Sequence, residues 1–162
     1  MATDPAISTL KSSVRGAVIQ AGETGYDQAR KVYNGMIDRR PKLIVQCADV
    51  ADVIAAVNFG RDQKLLTAER GGGHNAGGLG VCDDGLVIDL SHISYVHVDP
   101  VKRTVRCGGG TTWGQVDHAT HAFGLAVPAG IIASTGVGLN VFVASPRVTP
   151  IMRVPLSGTT ER

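Results

Sequence analysis

An α+β fold is predicted by three features of the sequence. A strand, helix, strand pattern over residues 42–69 indicates a small parallel βαβ unit. The short strands and tight-turn residues that follow indicate a mainly antiparallel part carrying one helix. Glycine is also abundant, at 21 of 162 residues against an average usage of ~7%. It gathers at 71–80, 108–110 and 130–138, between the ordered segments, where backbone can pack against a ligand.

The elements follow in chain order. Residues 1–35 predict a helix around Ile7 to Ile19 and then a surface stretch, AGETGYDQARKVYNG, whose Gly and Asn mark turns. Lys42 to Gln46 (KLIVQ) is a short apolar run suited to a buried strand, and Asp49 can cap the next helix. In that helix Val50, Val53, Ile54 and Val57 share one face, which predicts that they are buried while Asp52 and Asn58 face out. Lys64 to Glu69 (KLLTAE) closes the βαβ unit and runs into RGGGH, at the strand end where α/β sheets bind ligands.

Beyond the glycine loop, Asp83-Asp84-Gly85 signals a turn before the strand Leu86 to Leu90. Tyr95 to Val98 and Thr104 to Cys107 read as two more strands about the turn at Asp99-Pro100. All three are expected in a mainly antiparallel arrangement. Thr112 and Gln115 have capping-box spacing and open a helix to about Ala122, with Val116, Ala119 and Thr120 toward the core. A second glycine-bearing segment, PAGIIASTGVG, runs from Pro128 to Gly138.

Bulk properties exclude several classes. With 43% hydrophobic and 19% charged residues and mean hydropathy +0.09, the chain can build one globular core. Net charge is +2 with the signs interspersed, so no basic footprint for nucleic acid is present. No window approaches the ~18 apolar residues of a membrane span, and MATDPAISTLKSS lacks a basic segment leading into an apolar one. The expectation is a soluble, cytoplasmic protein with neither nucleic acid nor membrane as partner. Cys47, Cys82 and Cys107 have no CxxC spacing and are expected to be buried reduced thiols.

The stretch RGGGHNAGG, residues 70–78, concentrates the candidate chemistry. No Gly-Lys-Ser/Thr follows it, and it does not open a Rossmann helix, so it is neither a P-loop nor a dinucleotide fingerprint. What remains is a run of backbone N–H groups without side-chain obstruction, a nest for pyrophosphate oxygens. Glycine-rich turns after strands are often only turns, and that reading also stands. His74 alone fits a structural histidine as well as a reactive one. His118 and His121 are spaced i, i+3 without an acidic or cysteine ligand and read as helix surface, so no metal is expected. His92 and His97 have no partner in sequence, and Trp113 reads as core.

Taken in order, RGGGHNAGG, CDDGLVIDLSHIS, VHVDPVKRTVRCGGGTTWGQVDHAT and FGLAVPAGIIASTGVG resemble a family of FAD-linked oxidases. Their flavin domain is of the PCMH, or vanillyl-alcohol-oxidase, type. The berberine-bridge-enzyme-like oxidases, with bacterial members of the 6-hydroxynicotine oxidase kind, are the group most like it. The resemblance runs from about Ser12 to Gly138 and includes YNGMIDRRP. It implies that residues 36–138 are the N-terminal portion of that domain, with FAD extended between the two sheets.

It further implies that His74 is the histidine joined to the flavin 8α-methyl, which the electron-poor ring acidifies and makes electrophilic toward a neutral imidazole. Arg70, Gly71, Gly72, Gly73, Asn75 and Gly78 would form one cofactor wall. Pro128, Gly130, Ser134, Thr135, Gly136 and Val137 would form the other. Many relatives add a cysteine link in the second segment. Ile132 stands at that place here, so a single covalent bond is expected.

After Gly138 the resemblance stops, and residues 139–162, with Pro146, Pro150 and Pro155, read as a tail of different or frame-shifted origin. The resemblance implies hydride transfer from a small-molecule substrate to flavin N5, with oxygen as acceptor. The substrate domain and catalytic base would lie outside this chain. Two expectations therefore stand together: an incomplete FAD-binding oxidoreductase domain, and a non-catalytic fragment without turnover.

Overall fold

The computed structural model describes residues 4–140, 151–155 and 157–158, with side chains through Gly138. Helix α1 (Pro5–Ser13) starts at Asp4, whose carboxylate accepts from the Ala6 N–H at 2.9 Å, and it ends earlier than expected. Residues Ala17–Gln20 form strand β1 rather than the last turn of that helix. The break has a physical cause at Gly16, where a Cβ would lie 1.8 Å from the Gln46 carbonyl oxygen. Only glycine lets the chain turn there and pair β1 antiparallel with β2 (Leu43–Gln46).

After the short helix α2 (Tyr26–Ala29) come β2, α3 (Val50–Asp62), β3 (Thr67–Arg70) and β4 (Leu86–Asp89). The sheet order is β1-β2-β4-β3, with β4 parallel to both of its neighbours. Thus β4 does not join the antiparallel part as expected but fills the centre of the parallel sheet. Its residues are buried on both faces, the environment of a central parallel strand. In this register Gln46, Asp89 and Arg70 align at the carboxyl edge, and the glycine loop leaves the sheet at that point.

Helix α3 is capped as expected, Asp49 accepting from the N–H groups of Ala51 and Asp52 at 2.9 and 3.2 Å. Its buried face is rotated from the predicted one: Asp52, Val53, Ala56 and Gly60 face inward, while Val50, Ile54 and Val57 are exposed. The Asp52 carboxylate accepts from the backbone N–H groups of Arg15, Gly16 and Ala48 at 2.8–2.9 Å, tying α3 to the start of β1 and the end of β2. Burial pulls its pKa upward, but these three bonds outweigh it and hold the carboxyl below the usual range. At Gly60 a Cβ would lie 2.7 Å from Thr67 Oγ1, so the helix approaches the sheet closely there.

Strands β5 (Val96–Asp99) and β6 (Thr104–Gly108) form an antiparallel hairpin. Helix α4 (Trp113–His121) follows, its first turn closed by the Gln115 side-chain oxygen accepting from the Thr112 N–H at 2.8 Å. Val105, Cys107, Trp113, Val116, Val127 and Val137 make the core of this half. The short strand β7 (Leu125–Ala126) comes next.

The closing segment contributes structure that sequence reading left out. Strand β8 (Ile151–Pro155) extends the second sheet antiparallel to β6, and β9 (Ser157–Gly158) pairs with β7.

The three cysteines are buried thiols outside any disulfide, with burial pushing that of Cys47 up to about 12 and raising those of Cys82 and Cys107. Among the described residues no helix is long and apolar enough to cross a membrane.

Candidate functional site

Arg70 closes β3 and is buried, its guanidinium bonded to Asp89 Oδ2 at 2.8 Å and to the carbonyls of Ala29 and Lys31. The expectation placed Arg70 on the cofactor wall. Its side chain clamps the ends of β3 and β4 to the segment after α2, and the residue lines both cavities beside the loop. A buried ion pair with added hydrogen bonds is geometrically exacting, and this one fixes where the glycine loop begins. Asp89, not singled out from sequence, also accepts from the Ser91 N–H at 3.0 Å. Its signal was present: a carboxylate ending an otherwise apolar buried strand.

The loop itself is defined by close backbone approach. A Cβ on Gly71 would lie 2.6 Å from the Gly109 carbonyl oxygen, and one on Gly72 would lie 2.4 Å from the Gly136 nitrogen. The two predicted walls therefore touch at Gly72 and Gly136. Gly73 has φ +71°, a left-handed turn that delivers His74. Among the described residues, no backbone N–H from Gly71 through Gly77 donates a hydrogen bond within the chain. Asn75 closes the far side, its carbonyl and side-chain oxygens accepting from the Gly78 and Leu79 N–H groups at 3.1 Å.

The second wall is stitched to the start of α4. Trp113 and Gly114 donate to the carbonyls of Thr135 and Ala133, and Val137 donates to Thr111, all at 2.8–2.9 Å. This places Ser134 and Thr135 on His74: Ser134 Oγ is 3.0 Å from Nε2 and Thr135 Oγ1 is 3.4 Å from Nδ1. Tyr33 stacks on the imidazole with ring centroids 3.8 Å apart and planes 19° apart. Sequence reading placed Tyr33 in a surface stretch and in the YNGMIDRRP part of the resemblance, and gave it no role at the site. An aromatic in a polar, turn-rich run was the available signal.

Other expected positions are placed less directly. Val137 is fully buried in the second core and offers backbone only, while Pro128 and Gly130 are exposed. Ile132, expected from the resemblance to stand where relatives carry a second attachment, is about half exposed. Two cavities of ≈ 450 and ≈ 480 Å³ flank the loop and share Gly71, Gly72 and Gly73 as a common wall. His118 and His121 lie exposed on α4, and no His/Cys/Asp/Glu cluster suited to a metal occurs among the described residues.

A glycine loop at the carboxyl edge of the parallel strands, met by the turns of a second sheet, is the arrangement that comparison with solved structures identifies as a PCMH-type flavin-binding domain. The chain belongs to the FAD binding domain family, whose model matches residues 41–142. It is 33% identical over 131 residues to (R)-6-hydroxynicotine oxidase of Paenarthrobacter nicotinovorans, covering 79% of this chain and 29% of that protein. It is 36% identical over 133 residues to an FAD-linked oxidoreductase of Dictyostelium discoideum, covering 82% and 29%. Among solved structures, 6-hydroxy-D-nicotine oxidase of Arthrobacter nicotinovorans superposes with TM-score 0.75 at 31% identity, over 84% of this chain and 29% of that one. The chain thus spans less than a third of these relatives' own length.

Proposed function

We propose that this chain supplies the first part of the flavin site of an FAD-dependent oxidase, with FAD held at the glycine loop and joined to the protein once, through His74. The observation that carries this reading is the run of N–H groups from Gly71 through Gly77 that donate no hydrogen bond among the described residues, in a loop where four of the seven residues are glycine. Such a nest suits the negative oxygens of a pyrophosphate. Side-chain chemistry agrees, since His74 offers two ring nitrogens and Ser134 and Thr135 offer hydroxyls that donate or accept.

When bound, FAD supplies an electron-poor ring that accepts hydride from a small-molecule substrate and passes electrons to oxygen. This chain's own residues do other work. In this reading Gly71 to Gly73 and Asn75 to Gly78 would border one side of the bound flavin, and Ser134 to Val137 the other. Arg70 and Asp89 hold the loop's root, and His74 anchors the cofactor. Among the described residues no second side chain stands ready to attach the flavin, because Ile132 replaces the cysteine and all three thiols are buried. Substrate choice and the base that activates it belong to the part of the relatives this chain does not span.

The test is intact mass and visible spectrum after acid denaturation. The expected result is a mass gain of one FAD with yellow colour, absent in His74→Ala. Unmodified, colourless protein would overturn the His74 assignment. The short span relative to the oxidases favours a second reading, a flavin-binding fragment without turnover. Substrate-dependent hydrogen peroxide from the yellow protein would exclude it.

A further inference from the structure

The environment of His74 is more ordered than attachment alone requires. One face of the imidazole lies on Tyr33 at 3.8 Å, and Nε2 lies at full hydrogen-bond distance, 3.0 Å, from Ser134 Oγ. The contact of Nδ1 with Thr135 Oγ1, at 3.4 Å, is near the outer limit of a hydrogen bond. The two nitrogens are therefore held unequally. Tyr33 is itself fixed beside the loop, because its N–H donates to the Gly73 carbonyl at 3.0 Å. The Tyr33 ring is nevertheless 63% exposed, so burial in a core does not explain its position.

We infer that Tyr33 and Ser134 are positioning residues for His74: Tyr33 fixes the plane of the imidazole, and Ser134 accepts from Nε2–H, leaving Nδ1 as the lone-pair nitrogen free to bond elsewhere. A ring free to rotate would present either nitrogen in any direction. A ring stacked on one face and bonded at one nitrogen has a restricted orientation, and with Ser134 as the acceptor its tautomer is the one that carries the proton on Nε2. The nitrogen with the longer contact gives up least when it bonds to another group. The use of this arrangement rests on the proposed attachment of flavin at His74; the ring geometry itself does not.

The test joins two readouts on the whole chain. In protein labelled with ¹⁵N-histidine, the His74 ring nitrogens, assigned through His74→Gln, should report one N–H and one lone-pair nitrogen in spectra taken where the imidazoles are neutral. Exposed His118, which should show the averaged pattern of a mobile ring, is an internal reference in the same spectrum. Ser134→Ala and Tyr33→Ala should move His74 toward the His118 pattern and lower the covalently flavinylated fraction about three- to tenfold, the scale of one aromatic stack or hydrogen bond. Tyr33→Phe keeps the stack and should restore both readouts.

A His74 signal that matches His118 in the unsubstituted protein would overturn the inference. So would ring signals and flavin content unchanged by Tyr33→Ala and Ser134→Ala. A fixed tautomer that both variants release, in protein that never acquires covalent flavin, would support the inference about the ring and defeat the attachment reading instead.

Discussion

Asp52 turns α3 and the start of β1 into one unit, since its carboxylate is the common acceptor for the N–H groups of Arg15, Gly16 and Ala48. Its folded pKa is held below the ordinary value, so its contribution is full above the unfolded-state value of ~3.9. The contribution disappears as pH falls through the lower folded value, because protonation then favours the unfolded chain. Urea unfolding at neutral pH should show Asp52→Ala about 3 kcal/mol less stable, the scale of one or two hydrogen bonds to a charged group. The variant should also lose part of the decline that the unsubstituted protein shows below pH ~4. Equal acid sensitivity in both proteins would remove Asp52 from this role.

At this scale the sequence was uneven evidence. His74 alone fitted a structural histidine as well as a reactive one, and only the family resemblance singled it out. Asp52 was not legible, because the helical period assigned it to solvent, and two of its three donors, Arg15 and Gly16, lie 37 and 36 positions away, beyond any local window. Tyr33 was hidden for the same reason, its partner lying 41 positions away in the chain.

Between elements, the decisive contact is the meeting of Gly72 with Gly136. A methyl group at residue 72 would lie 2.4 Å from the Gly136 nitrogen and 2.7 Å from its Cα, both backbone atoms that cannot rotate away. Gly72→Ala should therefore part the two segments, at a cost of about 1–3 kcal/mol. It should also speed hydrogen exchange at the Val137 N–H, which bonds to Thr111, and lower retained flavin. Gly35→Ala, where a Cβ would meet nothing within 4 Å, is the control and should stay within about 0.5 kcal/mol. Unchanged exchange at Val137 in Gly72→Ala would mean the segments separate without consequence.

The element pattern itself was half legible. Strands β2 and β3 and the caps of α3 and α4 follow from local sequence. The placement of β4 does not, because Asp83-Asp84-Gly85 resembles the turn of an antiparallel pair. Yet the crossover from β3 to β4 is the glycine loop itself, with no helix in it. The buried run of β4 carried the better signal, since a strand apolar on both faces belongs inside a parallel sheet.

The whole molecule raises the question of what completes the second sheet. The family match ends at residue 142, yet β6 is flanked on both sides, by β5 and by β8 at residues 151–155. Sequence reading missed β8 because IMRVP is a five-residue run between Pro150 and the strand's own last residue, Pro155, in a stretch with no period. Proline is tolerated at a strand end or sheet edge, and β8 is an edge strand of the order β5-β6-β8. Without β8, β6 would present a row of unpaired backbone groups beside the core residues Val105 and Cys107.

A chain ended after Asn140 should therefore lose protection at the β6 amides that pair with β8, their exchange rising at least about tenfold. The β2 and β4 amides of the other sheet should keep theirs. The shortened chain should also associate at concentrations where the full chain does not, because an open edge pairs with a second copy. Unchanged β6 protection would mean that the hairpin with β5 and the packing of α4 hold the strand alone. The proposed flavin site depends on this outcome, because Ser134 to Val137 hang from residues Thr111 to Gly114, into which β6 leads. A loosened β6 would reach His74 through those residues, so the shortened chain should also show the His74 ring released toward the pattern of exposed His118.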